Sequence, residues 1–391
     1  MRILIASDLY WPVINGVATF SRNLAIGLAD RGHDVMVIAP SQTGKKYTEL
    51  DGNYTIVRTA TVIFPFYQNF RVSLSPYREV KKIIKEFRPD VIHAQSFIMI
   101  GQAVMRYSQK FGIPLVSTNH AMPENLMDNL KMLAPVSYPI KYVMKKYIVR
   151  FNLKTDYFTM PTQSAIDMFD LSNNKFNVPI EAVSNGIDLS RFSVGKASKE
   201  LYKKYNIPIN KPIITFVGRV DAEKHISVLI HAFIHVLAEV DAHLLIVGDG
   251  TDLMNIKELA NVSGVSDKIT FTGRVTDDEI VDLHKVGTVF CMPSPAELQS
   301  IVMLEAMASG KPVVAVDAGP LKELCQDKRN GLLCEIDNDK EIANALLKII
   351  TDPKLCKTMG KESIAIANTH NFEHTLKRFE EIYTSLINVK N

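Results

Sequence analysis

Short β-branched runs recur along the chain, each followed by apolar residues at helical spacing. That is the rhythm of βα units, in which parallel strands are covered by helices on both faces. In the front half the pattern places strands at about 2–6, 34–39, 91–94, 114–119, 156–160 and 180–184. The rear half restarts it, at about 213–217, 243–247, 269–272, 288–292, 312–316 and 331–335, with helical stretches such as 225–238 between. An α/β fold of two doubly wound domains follows. The break falls between Asn185 and Pro212, where Asn-Gly, a Ser/Gly/Lys stretch and two prolines interrupt the periodicity. Only helices follow the last strand. The final one carries Phe372, Leu376, Phe379, Ile382, Tyr383 and Leu386 at helical spacing and needs a surface to cover.

Composition agrees with two cores: 391 residues, 47% apolar and 22% charged, exceed the roughly 250–300 residues at which single cores stop growing. No apolar run reaches the ~18 residues of a membrane span, and Ile3 to Ala6 stops at Ser7 and Asp8, too short for a signal peptide. The four cysteines form no C-x-x-C pair and read as reduced thiols in a cytosolic protein. A formal charge of +3 conceals a basic front half and an acidic rear half.

In doubly wound sheets ligands bind beyond the carboxyl ends of strands. Four clusters sit at such ends. Asn15-Gly16-Val17 opens a helix after the first strand, where a bare backbone and a helix N-terminus suit a phosphate, or where a turn simply needs a glycine. Gly218-Arg219 with Lys224 follows the 213–217 strand, a guanidinium fork plus an ammonium that suit a diphosphate or solvent. In the 293–310 segment Ser300 is a candidate N-cap that leaves the Ile301 amide free for an anion. Glu305, one turn in, would accept ribose hydroxyls or face water. His120 ends the 114–119 strand, placed to bond a substrate hydroxyl, shuttle a proton or serve the fold.

Glu297 and Glu305 form an E-x7-E pair. With Glu305-Ala306-Met307-Ala308-Ser309-Gly310-Lys311-Pro312 they resemble the signature of glycosyltransferase family 4, retaining sugar-nucleotide transferases of GT-B architecture. The resemblance runs nearly the whole chain. It takes in Pro12 to Gly16, Asn185-Gly186-Ile187-Asp188, Val217-Gly218-Arg219 with Lys224, Val247-Gly248-Asp249-Gly250 and Phe271-Thr272-Gly273-Arg274-Val275. It implies two Rossmann-like domains facing a cleft, residues 1–195 and 196–370, with a helix in 371–391 crossing back to the first. It also implies roles. Arg219 and Lys224 would bind the donor diphosphate, with amides of Gly16, Gly218, Ser300 and Ile301; Glu305 would take the ribose and Glu297 the sugar. The backbone around Arg274 and Val275 would take the base, and His120 the sugar. Three departures stand out. Asn15-Gly16 replaces Gly-Gly, Glu297-Leu298-Gln299-Ser300 replaces Glu-Gly-Phe-Gly, and Gln95 replaces the second histidine of Asp-Val-Val-His-x-His.

The implied chemistry is hexose transfer from a nucleotide-diphosphate sugar, best matched by UDP-glucose, with fixed cations and amides stabilising the departing diphosphate. It needs no metal and no cofactor. The triplet Asp337-Asn338-Asp339 reads as a turn and N-cap. Between Asn129 and Thr155 no acidic residue occurs, while Lys131, Lys141, Lys145, Lys146, Arg150 and Lys154 interleave with aromatics, as in helices that rest on anionic membranes or as on an ordinary solvated helix face. A second basic stretch spans Arg71 to Arg88. The pattern from Glu297 to Val302, with Asn119 to Asn125, looks most like members that glucosylate lipids such as diacylglycerol. The expectation is a cytosolic enzyme on the inner leaflet acting on a lipid, with no nucleic-acid partner. The alternatives are a soluble acceptor, a two-domain oxidoreductase and a catalytically silent sugar-nucleotide sensor.

Overall fold

The computed structural model describes residues 1–390 apart from 14, 65–70, 123–136 and 173–176. Pro123, Glu124, Asn125 and Lys131 therefore lie outside the described residues. The chain forms two compact units, Met1–Asn185 with Glu373–Asn391, and Gly186–Phe372. The division thus falls at 185 and 372 rather than 195 and 370. Ile187 goes with the second unit because its N–H donates to the His370 carbonyl at 2.8 Å, while its carbonyl accepts from Phe372 at 2.9 Å.

In the first unit an eight-stranded sheet runs β10-β9-β8-β7-β1-β2-β4-β3. Its strands are β1 Arg2–Ala6, β2 Asp34–Pro40, β3 Tyr47–Asp51, β4 Tyr54–Thr59, β7 Val91–Ala94, β8 Leu115–Thr118, β9 Tyr157–Met160 and β10 Ile180–Ala182. Every neighbouring pair is parallel except β3 and β4. A separate two-stranded ribbon pairs β5 Thr61–Ile63 with β6 Arg71–Ser73. The periodicity does not announce β3 to β6, for identifiable reasons. β3 is a polar edge strand. β4 carries Arg58, whose buried guanidinium bonds Glu49 at 2.7 Å and the carbonyls of Pro40 and Trp11, so a charged residue interrupts what is physically a core strand.

The first helix, Gly16–Asp30, starts on Asn15, whose side chain accepts from the Ala18 N–H at 2.8 Å. Asn15 has φ −160°, extended backbone open to any residue, so a helix cap takes the place of the expected glycine pair. The C-terminal helix, Phe372–Lys390, buries Leu376, Phe379, Ile382 and Tyr383, and from Glu373 onward belongs to the first unit. Gly27 of the first helix permits its approach, since a Cβ there would lie 2.6 Å from Leu376. Arg378 bonds Glu181 through two nitrogens at 2.8 Å, and Tyr383 meets the buried His93 ring at 2.6 Å.

The second unit holds a six-stranded sheet, β13-β12-β11-β14-β15-β16, parallel throughout. Its strands are β11 Ile213–Val217, β12 His243–Val247, β13 Ile269–Phe271, β14 Val289–Met292, β15 Val313–Val316 and β16 Gly331–Cys334, all within a residue or two of the periodic runs. β11 through β13 proceed to one side and β14 through β16 to the other, so the winding reverses between β11 and β14. At such a reversal the loops leaving the two central strands part and open a crevice.

Candidate functional site

Two loops leave the carboxyl ends of β11 and β14, where the winding reverses. After β11 the chain turns through Gly218-Arg219 into a short 3₁₀ turn, Ala222–Lys224; after β14 the 293–300 segment leads into the helix Ile301–Ala308. Lys224 Nζ lies 2.6 Å from Glu297 and 3.5 Å from Glu223. Arg219 bonds Glu223 at 2.6 Å and also pairs with Asp221. Arg219, Glu223, Lys224 and Glu297 therefore form one chain of alternating charge across the strand ends, uniting three residues singled out from the sequence.

Asp221 and Glu223 were not singled out, though both flank the cations in sequence. The Glu223 side chain is 1% exposed. Burial raises its carboxyl pKa against the pull of Lys224 and Arg219. For Lys224, burial works to lower the pKa, but Glu297 and Glu223 outweigh it and the net shift is upward. The ammonium is thus held charged throughout the physiological range. Asp221 also accepts from the Thr251 N–H and hydroxyl, both at 2.8 Å, tying the loop after β12 to Arg219. Gly248 in that loop has φ +134°, and a Cβ there would lie 1.9 Å from the Gly218 carbonyl oxygen. Only glycine lets the two loops pass this closely.

Ser300 caps its helix, accepting from the Met303 N–H at 3.3 Å, and the first-turn amides of Ile301 and Val302 have no intrahelical acceptor. Glu305 stands outside the ion-pair chain. Its carboxylate meets the ring of fully buried His284 at 3.0 Å, while His284 Nδ1 has no partner among the described residues. Nothing in the periodicity of the Asp277–Val286 helix marked that histidine as different from a core residue. Arg274 is exposed and Val275 half-buried at the end of β13, where the Gly273 carbonyl accepts from the Gly248 N–H. Asn338 caps the helix Asp339–Ile350 and Asp337 bonds His225, as expected of the triplet.

The remaining candidates belong to the first unit. Gly16 is exposed with nothing within 4 Å of a Cβ built there; the fold itself does not require glycine at that position. His120 bonds Gln95 Oε1 through Nε2 at 2.8 Å and lies against Phe20. Burial lowers its pKa to about 3, so the ring is neutral at physiological pH, suited to hydrogen bonding and not to carrying a proton. In the helix Ser137–Asn152, Ile148 and Phe151 are buried while Tyr142, Val143, Lys146 and Arg150 are exposed and Lys141 half-buried. Lys145 is otherwise committed, bonding Asp170 and the Met168 carbonyl, both at 2.7 Å, which removes it from the free cations of that face. Among the described residues no helix is long and apolar enough to cross a membrane.

The family model described as Glycosyltransferase Family 4 matches residues 14–191, and that described as Glycosyl transferases group 1 matches 197–365. An alpha-monoglucosyldiacylglycerol synthase of Streptococcus pneumoniae is 29% identical, over 99% of this chain and 86% of its own. The synthase of the same name from Acholeplasma laidlawii is 25% identical over 100% and 98%. A GDP-mannose-dependent alpha-mannosyltransferase of Corynebacterium glutamicum is 27% identical over 90% and 81%. Among solved structures, sucrose-phosphate synthase from Thermosynechococcus elongatus superposes with a TM-score of 0.81 at 19% identity, covering 99% of each chain. Anabaena HepE, solved with UDP and glucose, gives 0.75 at 20%, covering 98% and 100%.

Proposed function

Since the chain belongs to the glycosyltransferases of GT-B architecture, we propose that it moves glucose from UDP-glucose to a hydroxyl of a membrane lipid such as diacylglycerol, with retention of the anomeric configuration. Membership removes the oxidoreductase alternative. The observation that carries the reading is the Arg219–Glu223–Lys224–Glu297 chain at the β11/β14 crevice. Two cations held in place by buried carboxylates suit a diphosphate whose leaving oxygen gains negative charge as the glycosidic bond breaks. Preorganised charges of this kind stabilise a transition state better than mobile water does.

In this reading Arg219, Lys224 and the amides of Gly218, Ser300 and Ile301 bind the diphosphate. Glu305 takes the ribose, the Arg274–Val275 backbone the base, and Glu297 the sugar hydroxyls. Lys224 serves as the bridge, since its ammonium already touches Glu297. His120 is assigned to a substrate hydroxyl and the Gly16 amide to a phosphate oxygen. The charge stabilisation needed is supplied by side chains and amides, so no metal enters the scheme.

The lipid acceptor is supported by the two glucosyldiacylglycerol synthases and by the exposed basic, aromatic face of the Ser137–Asn152 helix. With Lys145 engaged, Lys141, Lys146 and Arg150 remain, and at about 1 kcal/mol per cation near an anionic surface they give reversible docking on the inner leaflet.

Labelled UDP-glucose, UDP-galactose, UDP-N-acetylglucosamine and GDP-mannose, offered with diacylglycerol in anionic mixed micelles or with soluble sugars, test the reading. An α-glucosyl lipid formed from UDP-glucose is the expected product. Transfer confined to soluble sugars would remove the lipid acceptor, and binding without transfer would make the protein a sensor.

A further inference from the structure

Gln95 stands where the resembled pattern has its second histidine, and the donor chemistry described so far makes no use of it. It directly follows β7, is 2% exposed, and its backbone N–H is fixed by the Ala6 carbonyl at 2.8 Å. Its side-chain oxygen lies 2.8 Å from His120 Nε2. An amide oxygen carries no proton, so in that bond the ring must donate. The proton of neutral His120 then sits on Nε2, and Nδ1 keeps a lone pair.

The surroundings hold the ring in place. Phe20 covers it at 4.9 Å between centroids. Asn119 closes the turn that carries it, accepting from the Ala121 N–H and donating to the Ala121 carbonyl, each at 3.2 Å. His93, on β7, is the titratable group that interacts with it electrostatically. Burial keeps His93 neutral too, and a charge on His120 would lower its pKa further. His93 is spoken for by Tyr383 and Thr118 at 2.6 and 2.7 Å. Gln95 Nε2 is buried and has no partner among the described residues. A buried amide oriented by one strong contact, with its other end unpaired, asks for a reason; orienting His120 supplies one.

We propose that Gln95 is a positioning residue that fixes His120 as the Nε2–H tautomer, so that Nδ1 always accepts a hydrogen bond from a substrate hydroxyl. A histidine at position 95 could offer either a lone pair or an N–H and could itself titrate, leaving the tautomer of His120 open. Glutamine removes both freedoms. The inference rests on the assignment of His120 to substrate, and its tautomer is measurable without substrate.

The test is long-range ¹H–¹⁵N correlation on protein labelled at histidine, with His120 assigned by comparison with His120→Gln. Wild type should show the Nε2–H pattern, unchanged from pH 8 to pH 5. In Gln95→Leu the signals should move to a mixture of tautomers, and kcat should fall on the order of tenfold with donor KM little changed, the size of one misdirected hydrogen bond. Gln95→Glu keeps the shape and sets a carboxylate against Nε2. The His120 pKa should then rise, and kcat should gain an acid limb that wild type lacks. An Nδ1–H tautomer in wild type, titration near 6.5, or an unchanged tautomer in folded Gln95→Leu would overturn the proposal. Wild-type turnover in His120→Ala would instead sink the substrate contact and leave the tautomer result standing, so the two failures are distinguishable.

Discussion

Lys224→Met removes one charge and keeps most of the side-chain volume, and the consequences differ for stability and for catalysis. The ammonium sits 2.6 Å from Glu297 and 3.5 Å from Glu223, with 12% of the lysine side chain exposed and 15% of that of Glu297. Removing one partner of a buried pair leaves the other charge uncompensated, which costs about 3 kcal/mol at the lower end of the usual range. For a unit of this size the melting temperature should fall by about 6–12 °C. Separately, loss of a fixed charge facing the leaving diphosphate should lower kcat on the order of 10²-fold. The double variant Lys224→Met/Glu297→Gln separates the effects. Neutralising Glu297 removes the orphaned charge, so most of the lost stability should return while turnover stays low. Thermal unfolding and a labelled-donor transfer assay on wild type, the single variant and the double variant supply the numbers. Turnover within threefold of wild type in folded Lys224→Met would refute the role given to the ammonium.

Other outcomes follow from single contacts. Gly248→Ala places a Cβ 1.9 Å from the Gly218 oxygen at φ +134°; it should destabilise the second unit by about 3 kcal/mol, and a wild-type melting temperature would contradict the close loop passage. His120 has its pKa lowered to about 3 by burial, so as pH falls the unfolded chain takes up the proton first. Its stabilising contribution is intact above about pH 6.5 and is lost progressively toward 3. Urea unfolding at pH 7 and pH 5 should show wild type losing about 2 kcal/mol more than His120→Phe, whereas equal losses would mean the ring is not held neutral. His284→Phe deletes the bond to Glu305 and should raise donor KM about tenfold with kcat nearly unchanged, read from initial rates over a donor series; an unchanged KM would show that Glu305 needs no such support.

The second unit was legible almost strand by strand because its core strands are continuous apolar runs, as burial on both faces of a parallel sheet requires. The same physics hid β4: Arg58 sits in a buried strand because Glu49 and two carbonyls answer its charge, and no local pattern reveals partners brought from elsewhere. Arg219 and Lys224 could be found since they follow a strand end, where doubly wound sheets bind ligands, and Glu297 through the E-x7-E pair that carries the family resemblance. Asp221 and Glu223 were in plain view, but as charges on a short turn they resemble solvated residues until burial is known. The contacts of His284 and Gln95 escaped for a different reason. Each side chain acts on a residue distant in sequence, at separations of 21 and 25, and spacing alone does not encode such contacts. Lys145 shows the converse error, a cation counted as free from its neighbours in sequence and found bonded to Asp170.

The central claim is that the crevice between β11 and β14 receives the diphosphate of a sugar nucleotide. A crystal structure of the complex with UDP tests it most directly. Diphosphate oxygens should lie within about 3 Å of the Arg219 guanidinium and the Lys224 ammonium, with the ribose on Glu305 and the base beside Arg274 and Val275. A nucleotide bound elsewhere, with the Arg219–Glu223 and Lys224–Glu297 pairs undisturbed, would contradict the account.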